Sequence, residues 1–376
     1  MNINREIFLV IVLSPILLGC VGDSSDVRGA TTSEDTNSSD ITVATNDANL
    51  SNETTSIDDT NPISGSGETS TDDTGASTDD AGTSTEGTGT STDGTGTSNN
   101  TIAVTPSSGL FIINGFTGGN VQGNSFGLTD GFYRVADTTG STIITRQFGS
   151  AGNDIVHDSA VSSVGFNVLV GSTDGDFRGP SNGGLDGFII LYDSTGSTVF
   201  GRQLGTPGTD VIEKVQFLPT GDILVAGNTD DVLSGNLSGE TDIFIRIYNQ
   251  QGNIVLTRQF GSSGADQIRG LAIGQDGLIA VAGETTGSLI SSPNEGNTDI
   301  FIRVISADGQ IQFTRQFGSS GTERLMGVHS LPGGSYALIG ETDGSLSGAS
   351  LGQTDLFVRV YNSDGSIEFT RQFGTS

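Results

Sequence analysis

Residues 257–262 read Thr-Arg-Gln-Phe-Gly-Ser, and the same six residues stand at 145–150 and at 314–319. Close variants are Gly-Arg-Gln-Leu-Gly-Thr at 201–206 and Thr-Arg-Gln-Phe-Gly-Thr at 370–375. Their shared glycines are Gly149, Gly205, Gly261, Gly318 and Gly374, so the string returns every 56 or 57 residues. An Asp-x-Phe marker keeps the same step at Asp130, Asp186, Asp242, Asp299 and Asp355. A fixed period of this length is the signature of a repeat architecture. It divides the C-terminal part into five units, 101–150, 151–206, 207–262, 263–319 and 320–376.

The third unit shows what one copy contains. Val211–Leu218 is mostly apolar and is followed by a Pro-Thr-Gly turn. Asp222–Asn228, Ile243–Tyr248 and Asn253–Phe260 are further short runs of β-branched and aromatic residues. Four such runs joined by Gly-containing turns predict four antiparallel strands. In Ile243–Tyr248 the side chains Ile243, Ile245 and Ile247 fall on one face, and Phe244, Arg246 and Tyr248 on the other. A half-solvated antiparallel sheet alternates apolar with polar. Two apolar faces predict a sheet packed on both sides. Four-stranded sheets stacked face to face at this period describe a β-propeller.

The pattern Asp-x-Phe, a Tyr-x-x-x-Gly turn, Arg-Gln-Phe-Gly, Gly-x-x-Asp and apolar-Gly-x-Thr resembles the bacterial β-propeller repeats labelled SBBP. The fifth unit, TDLFVRVYNSDGSIEFTRQFG from Thr354 to Gly374, matches it well. The resemblance covers residues 101–376. Where family members usually place Trp in the outer strand, this chain has Ile144, Phe200, Leu256, Phe313 and Phe369. The resemblance implies an extracytoplasmic scaffold and supplies no catalytic residues. The expected fold is therefore all-β, a β-propeller of about five four-stranded blades preceded by a disordered tether. Packing of the first blade on the fifth must close the ring, unless the ring is open or the chain is a fragment.

Composition agrees. In 376 residues there are 57 Gly, no Trp, one Cys, one Lys (Lys214) and a net charge of −29. A nucleic-acid binder needs a basic surface, which this acidic chain does not offer. A disulfide framework needs paired cysteines, and Cys20 is alone.

The N-terminus reads as an address. An apolar run from Ile7 to Leu18 is too short to span a bilayer and fits a signal-peptide core. It ends in Leu17-Leu18-Gly19-Cys20, which resembles the lipobox of bacterial lipoproteins. That resemblance implies cleavage after residue 19, lipid on Cys20 and attachment to the cell envelope, at the outer membrane or cell surface. More than one acyl chain makes such attachment stable. Residues 20–100 hold the lipidated cysteine and a linker of Ser, Thr, Gly and Asp. From Val21 to Asn100 there are sixteen acids, one base and no aromatic residue. Such a segment cannot bury enough apolar surface to order itself. As a flexible tether it would span about 50 Å.

The recurring charges are candidates for either chemistry or architecture. Asp130, Asp186, Asp242, Asp299 and Asp355 form one set; Asp154, Asp210, Asp266 and Glu323 a second. Arg146, Arg202, Arg258, Arg315 and Arg371 form a third, and Arg134, Arg246, Arg303 and Arg359 a fourth. A catalytic group is needed once, so groups present in every unit are expected to be Asp–Arg pairs and turn caps. The competing reading is a ring of carboxylates, Asp130 to Asp355, holding cations such as calcium. His157 and His329 do not recur and read as lone surface histidines. No catalytic residues are assigned. The function expected is a binding or interaction scaffold, with a protein or glycan partner on the long-loop, acidic end. The alternatives are a structural surface protein and a glycan-active enzyme using the non-repeated acids Asp158, Glu213, Asp230 and Asp231.

Overall fold

The computed structural model describes residues 101–104, 111–123, 125–291, 293–350 and 352–375. The leader, Cys20 and the linker lie outside the described residues, so those expectations are not addressed by the fold.

Among the described residues twenty strands form five four-stranded antiparallel sheets, each built from four consecutive strands. Sheet one holds β1 (Thr101–Val104), β2 (Phe111–Thr117), β3 (Asp130–Ala136) and β4 (Thr142–Phe148). Sheet two holds β5 (Asp154–Val161), β6 (Asn167–Thr173), β7 (Asp186–Tyr192) and β8 (Thr198–Leu204). Sheet three holds β9 (Asp210–Phe217), β10 (Ile223–Thr229), β11 (Asp242–Tyr248) and β12 (Ile254–Phe260). Sheet four holds β13 (Asp266–Ile273), β14 (Ile279–Thr285), β15 (Asp299–Ile305) and β16 (Ile311–Phe317). Sheet five holds β17 (Glu323–Ser330), β18 (Tyr336–Thr342), β19 (Asp355–Tyr361) and β20 (Ile367–Phe373). The strand runs expected for the third unit are all present, their ends displaced by about one residue at most. Among the described residues the only helical element is a 3-10 turn, Pro332–Gly334.

Successive sheets pack face to face, and one apolar core fills each of the four junctions. Ile243, Ile245 and Ile247 of β11 enter the core shared with sheet four, while Phe244 and Tyr248 enter the core shared with sheet two. The two-faced pattern read in Ile243–Tyr248 is therefore realised. The first strands β5, β9, β13 and β17 run along one side of the stack as mutual neighbours. Hydrogen bonds stitch each junction: the amides of Asp154, Asp210, Asp266 and Glu323 donate to the carbonyls of Thr129, Leu185, Thr241 and Thr298.

Among the described residues the outer faces of sheets one and five are partly exposed. On sheet five Phe373 is 55% exposed, Leu356 50% and Ile339 42%, whereas Ile243, Ile300, Ala226 and Ala282, at the positions of the last two, are fully buried. On sheet one Phe132 and Ile113 are half-buried, although the equivalent Phe188, Phe244, Phe301 and Phe357 are inaccessible. Among the described residues sheets one and five share no apolar core. Among the described residues each sheet is made of consecutive strands.

Candidate functional site

The five recurring aspartates open β3, β7, β11, β15 and β19, and all are buried. Each accepts a hydrogen bond on Oδ2 from the glutamine of the Arg-Gln-Phe string: Gln147, Gln203, Gln259, Gln316 and Gln372, at 2.7–3.0 Å. Amides of the long loop supply further donors, such as Phe126 to Asp130 and Asn182 to Asp186. The same glutamines hold the other end of the loop. Gln203 Oε1 accepts from the amides of Phe177 and Arg178, and its Nε2 also donates to the carbonyl of Gly175. The sequence reading missed this role, although the glutamine is present in all five units.

The expected Asp–Arg pairing is a correction. Among the described residues the ion pairs are Arg269–Glu284 and His157–Glu213, and neither joins the recurring sets. Neutral amides and hydroxyls serve the aspartates instead, and the arginines go elsewhere. Arg134, Arg246, Arg303 and Arg359 donate from Nε to Thr145, Thr257, Thr314 and Thr370. Arg303 also stacks on Phe260 at 4.1 Å and Arg359 on Phe317 at 3.8 Å, each reaching back to the preceding sheet. Arg202, Arg315 and Arg371 lie over Phe200, Phe313 and Phe369. Asp154, Asp210, Asp266 and Glu323 cap the turn before their strands, accepting from Ser150, Thr206, Ser262 and Ser319. Burial raises the pKa of Asp210 and Asp266, partly offset by these hydroxyl and amide donors.

Because the aspartates are buried, they do not make the long-loop end an exposed acidic face. No three metal-ligating side chains converge among the described residues. Asp174 and Asp176 are both occupied as loop caps, accepting from Asn153 and Ser181. Asp230 proves to be a repeat position after all. It accepts from Thr209, as Asp174 accepts from Asn153, Thr286 from Ala265 and Asp343 from Thr322. Asp231 caps Val232. Asp158 lies in β5 and spans a junction, accepting from the amide of Val215; burial raises its pKa.

His157 is not a lone surface histidine. Its Nε2 lies 2.9 Å from Ser172 Oγ, and its Nδ1 lies 3.9 Å from Glu213. Burial lowers its pKa, with Glu213 opposing. The order Ser–His–Glu has the connectivity of an acyl-transfer triad. However, Ser172 is only 2% exposed, and the histidine–glutamate separation exceeds hydrogen-bond reach.

The cavity that breaks the repeat lies between sheets one and two at the short-turn end. It has a volume of about 340 Å³ and is lined by Tyr133, Ile144, Val164, Asn167, Tyr192 and Asp193, among others. Its origin is legible position by position. Ile223, Ile279 and Tyr336 begin the second strands of sheets three to five, and all are fully buried. Sheet two has Asn167 there, 3% exposed, and neither atom of its amide has a partner. Across the junction, where the other sheets carry Ile189, Ile245, Ile302 and Val358, sheet one carries Tyr133. Its ring lies 4.6 Å from that of Tyr192, and its hydroxyl donates to the carbonyl of Gly196. Burial raises the pKa of both tyrosines, so both remain neutral hydroxyls near neutral pH. Two aromatic rings beside a buried, unpaired amide make a site for a neutral ligand with an apolar face.

No family model matches the chain. It is 23% identical over 180 residues to the regulatory protein FlaEY of Caulobacter vibrioides, covering 44% of this chain and 19% of that protein. The chain thus spans about a fifth of the curated relative it matches. Among solved structures it is similar to a NanB sialidase mutant from Streptococcus pneumoniae, at 12% identity and a TM-score of 0.43, covering 73% of this chain and 60% of that one. A polysaccharide lyase of family PL25, an ulvan lyase, gives 11% identity and a TM-score of 0.44, covering 75% and 72%. A protein of unknown function from Bacteroides caccae gives 11% and 0.35, covering 69% and 93%.

Proposed function

We propose that this is a lipid-anchored extracytoplasmic binding protein, and that its cleft between sheets one and two takes a small neutral ligand. The sheets are read as consecutive blades of an SBBP-type propeller arc. The anchor is read from Leu17-Leu18-Gly19-Cys20, with residues 20–100 as the tether. The observation that carries the binding reading is Asn167, a buried amide with both polar atoms unpaired, set where the other sheets place a large apolar side chain. Leaving such a group unpaired costs about 1–3 kcal/mol. A ligand that pairs with it recovers that cost. The chemistry that fits is a neutral hydroxylated ring: hydroxyls for the Asn167 amide and Asp193, and a C–H face for the tyrosines. No reaction is assigned: Asp158 accepts from the amide of Val215, and Asp230 and Asp231 cap loops.

Titration with a panel of neutral mono- and oligosaccharides, followed by tyrosine fluorescence and calorimetry, tests the cleft. Binding by the unaltered chain, lost in Asn167→Ile, is the expected outcome. Equal binding by both proteins removes the cleft from the reading. For the anchor, Cys20→Ser is expected to move the protein from the membrane to the soluble fraction and to remove palmitate labelling. Unchanged fractionation and mass would overturn it.

A further inference from the structure

Four of the five units share a side-chain pair that the second unit lacks. Arg134, Arg246, Arg303 and Arg359 each donate to a threonine opposite them on the last strand of the sheet. In sheet two the same register position pairs Ile190 with Gly201. A cation from the long loop between β6 and β7 occupies the place of the missing threonine. Arg178 lays its side chain across Gly201, where a β-carbon would lie 2.8 Å from its Cδ and 3.1 Å from its Nε. The threonine of the other units would collide with it. The loop is pinned at this point, because the amides of Phe177 and Arg178 donate to Gln203 Oε1 at 2.9 and 3.0 Å. Gln122, Ser234 and Ser347 make the same amide contact as Arg178 in the first, third and fifth units, and none of them is charged. Phe177 stacks on Phe148 of sheet one at 5.7 Å, and the Arg178 guanidinium lies 4.6 Å over the Phe177 ring.

A second cation comes from sheet one. In the junction of sheets four and five, Arg315 donates from Nε across to the carbonyl of Gly365 at 2.7 Å. Arg146 is the counterpart of Arg315, and Gly196 that of Gly365, each glycine standing two residues before the last strand. The Gly196 carbonyl accepts from Tyr133 instead, and Arg146 donates to the carbonyl of its own neighbour Thr145. Neither Arg146 nor Arg178 belongs to an ion pair among the described residues. Both line a cavity of about 340 Å³ whose wall also includes Phe177, Tyr192, Gly196 and Thr198 and holds no carboxylate. Tyr192 and Gly196 line the Asn167 cleft as well, so the two cavities adjoin. In a chain of net charge −29, two guanidiniums around one cavity without a carboxylate are a local exception.

We propose that this second cavity binds an oxyanion carried on a sugar ring, a carboxylate or a sulfate ester. The ligand is then an acidic oligosaccharide, with a neutral unit at Asn167 and an anionic unit between Arg146 and Arg178. The guanidinium fork matches the paired oxygens of such groups and holds them by charge-assisted hydrogen bonds. Phe177 and Tyr192 give the sugar an apolar wall. The placement of the neutral unit rests on the cleft reading given above, whereas the oxyanion site stands on the two arginines.

The full chain is titrated by calorimetry at low ionic strength with three disaccharides of one linkage. The first has two neutral hexoses, the second has one of them as the hexuronate, and the third carries one sulfate ester. At least one acidic form is expected to bind roughly tenfold tighter than the neutral form or more. The one that gains identifies the oxyanion, and its advantage should shrink as salt is added. Arg178→Gln is expected to bring the ratio to about one. Gly201→Thr keeps both arginines and restores the residue of the other units, and it is expected to abolish the preference by displacing the Arg178 side chain. Equal affinities for all three disaccharides in the unaltered chain overturn the proposal, as does an acidic preference that survives both substitutions. Asn167→Ile keeps the two readings apart. A preference that persists in Asn167→Ile and vanishes in Arg178→Gln supports the oxyanion site even where the cleft reading fails. Neutral binding lost in Asn167→Ile, with no acidic preference in the unaltered chain, overturns the oxyanion site and leaves the cleft.

Discussion

Gly261→Ala puts a methyl group into a crowded point of the junction between sheets three and four. A β-carbon built on Gly261 falls inside the van der Waals radius of Asp242 Oδ1 and 2.8 Å from Asp266 Oδ2. Neither carboxylate is free to retreat. Asp242 is held by Gln259 at 3.0 Å and by the amide of Ser238, and Asp266 by the amide of Ser262. Overpacking of a close-packed site costs about 1–3 kcal/mol. Displacing Asp242 also loosens a hydrogen bond to a charged group, worth about 1.5–3 kcal/mol. The sum, about 2.5–6 kcal/mol, corresponds to a fall in midpoint of roughly 5–24 °C for a domain of this size. Thermal unfolding by circular dichroism measures it, and amide exchange should show the loss concentrated in β11 and β13. Gly327 is the control, since nothing lies within 4 Å of a β-carbon there. Gly327→Ala should be neutral or stabilising by about 0.4–1 kcal/mol. A Gly261→Ala protein as stable as the Gly327→Ala protein would refute the reasoning that the string needs its glycine to clear two carboxylates.

Asn167→Ile restores the apolar residue of the other sheets and removes two unpaired polar atoms. It should stabilise the chain by about 1–3 kcal/mol in urea unfolding while abolishing ligand binding. Gln203→Ala leaves Asp186 and the amides of Phe177 and Arg178 without their shared partner, so a loss of about 2–4 kcal/mol is expected, with faster exchange confined to the loop before β7. Burial lowers the pKa of His157, so the folded state favours the neutral ring. That contribution is present above the unfolded value of about 6.5 and is lost as pH falls through the folded value. His157→Gln should therefore flatten the decline in stability on the acid side of about pH 6.5, as read by midpoints across a pH series.

What the sequence disclosed and what it withheld follow from the same repetition. A step of 56 or 57 residues with two-faced apolar runs leaves little choice but stacked four-stranded sheets, and the strands begin and end close to where the turn residues place them. The aspartates were visible because charge stands out in an apolar pattern. Their partner was not, because glutamine carries no charge and sits beside an arginine that invites an ion pair. Burial reverses that intuition: a carboxylate enclosed among amide donors is satisfied without a cation, and a guanidinium beside a ring is satisfied without an anion. Asp230 looks singular in the sequence, yet Asp174, Thr286 and Asp343 cap the same position in other units. Asn167 was overlooked for the opposite reason. It opens a strand that otherwise reads as apolar, and only alignment of the five units at the level of strand register shows what it replaces.

The glutamine–aspartate clamp separates the length of each long loop from its attachment. In the second and third units the amides of Phe177 and Leu233 meet the glutamine, and those of Asn182 and Ser238 meet the aspartate. In the fourth unit the corresponding amides belong to Leu289 and Glu295, one residue farther apart, yet both anchors are made. The extra residue is absorbed between the anchors and never reaches the strands. Each unit thus carries a cassette whose interior tolerates insertion and substitution while its ends stay fixed. Such cassettes, repeated along the described residues, form a ready platform for grafted peptides or for natural diversification of the surface they cover.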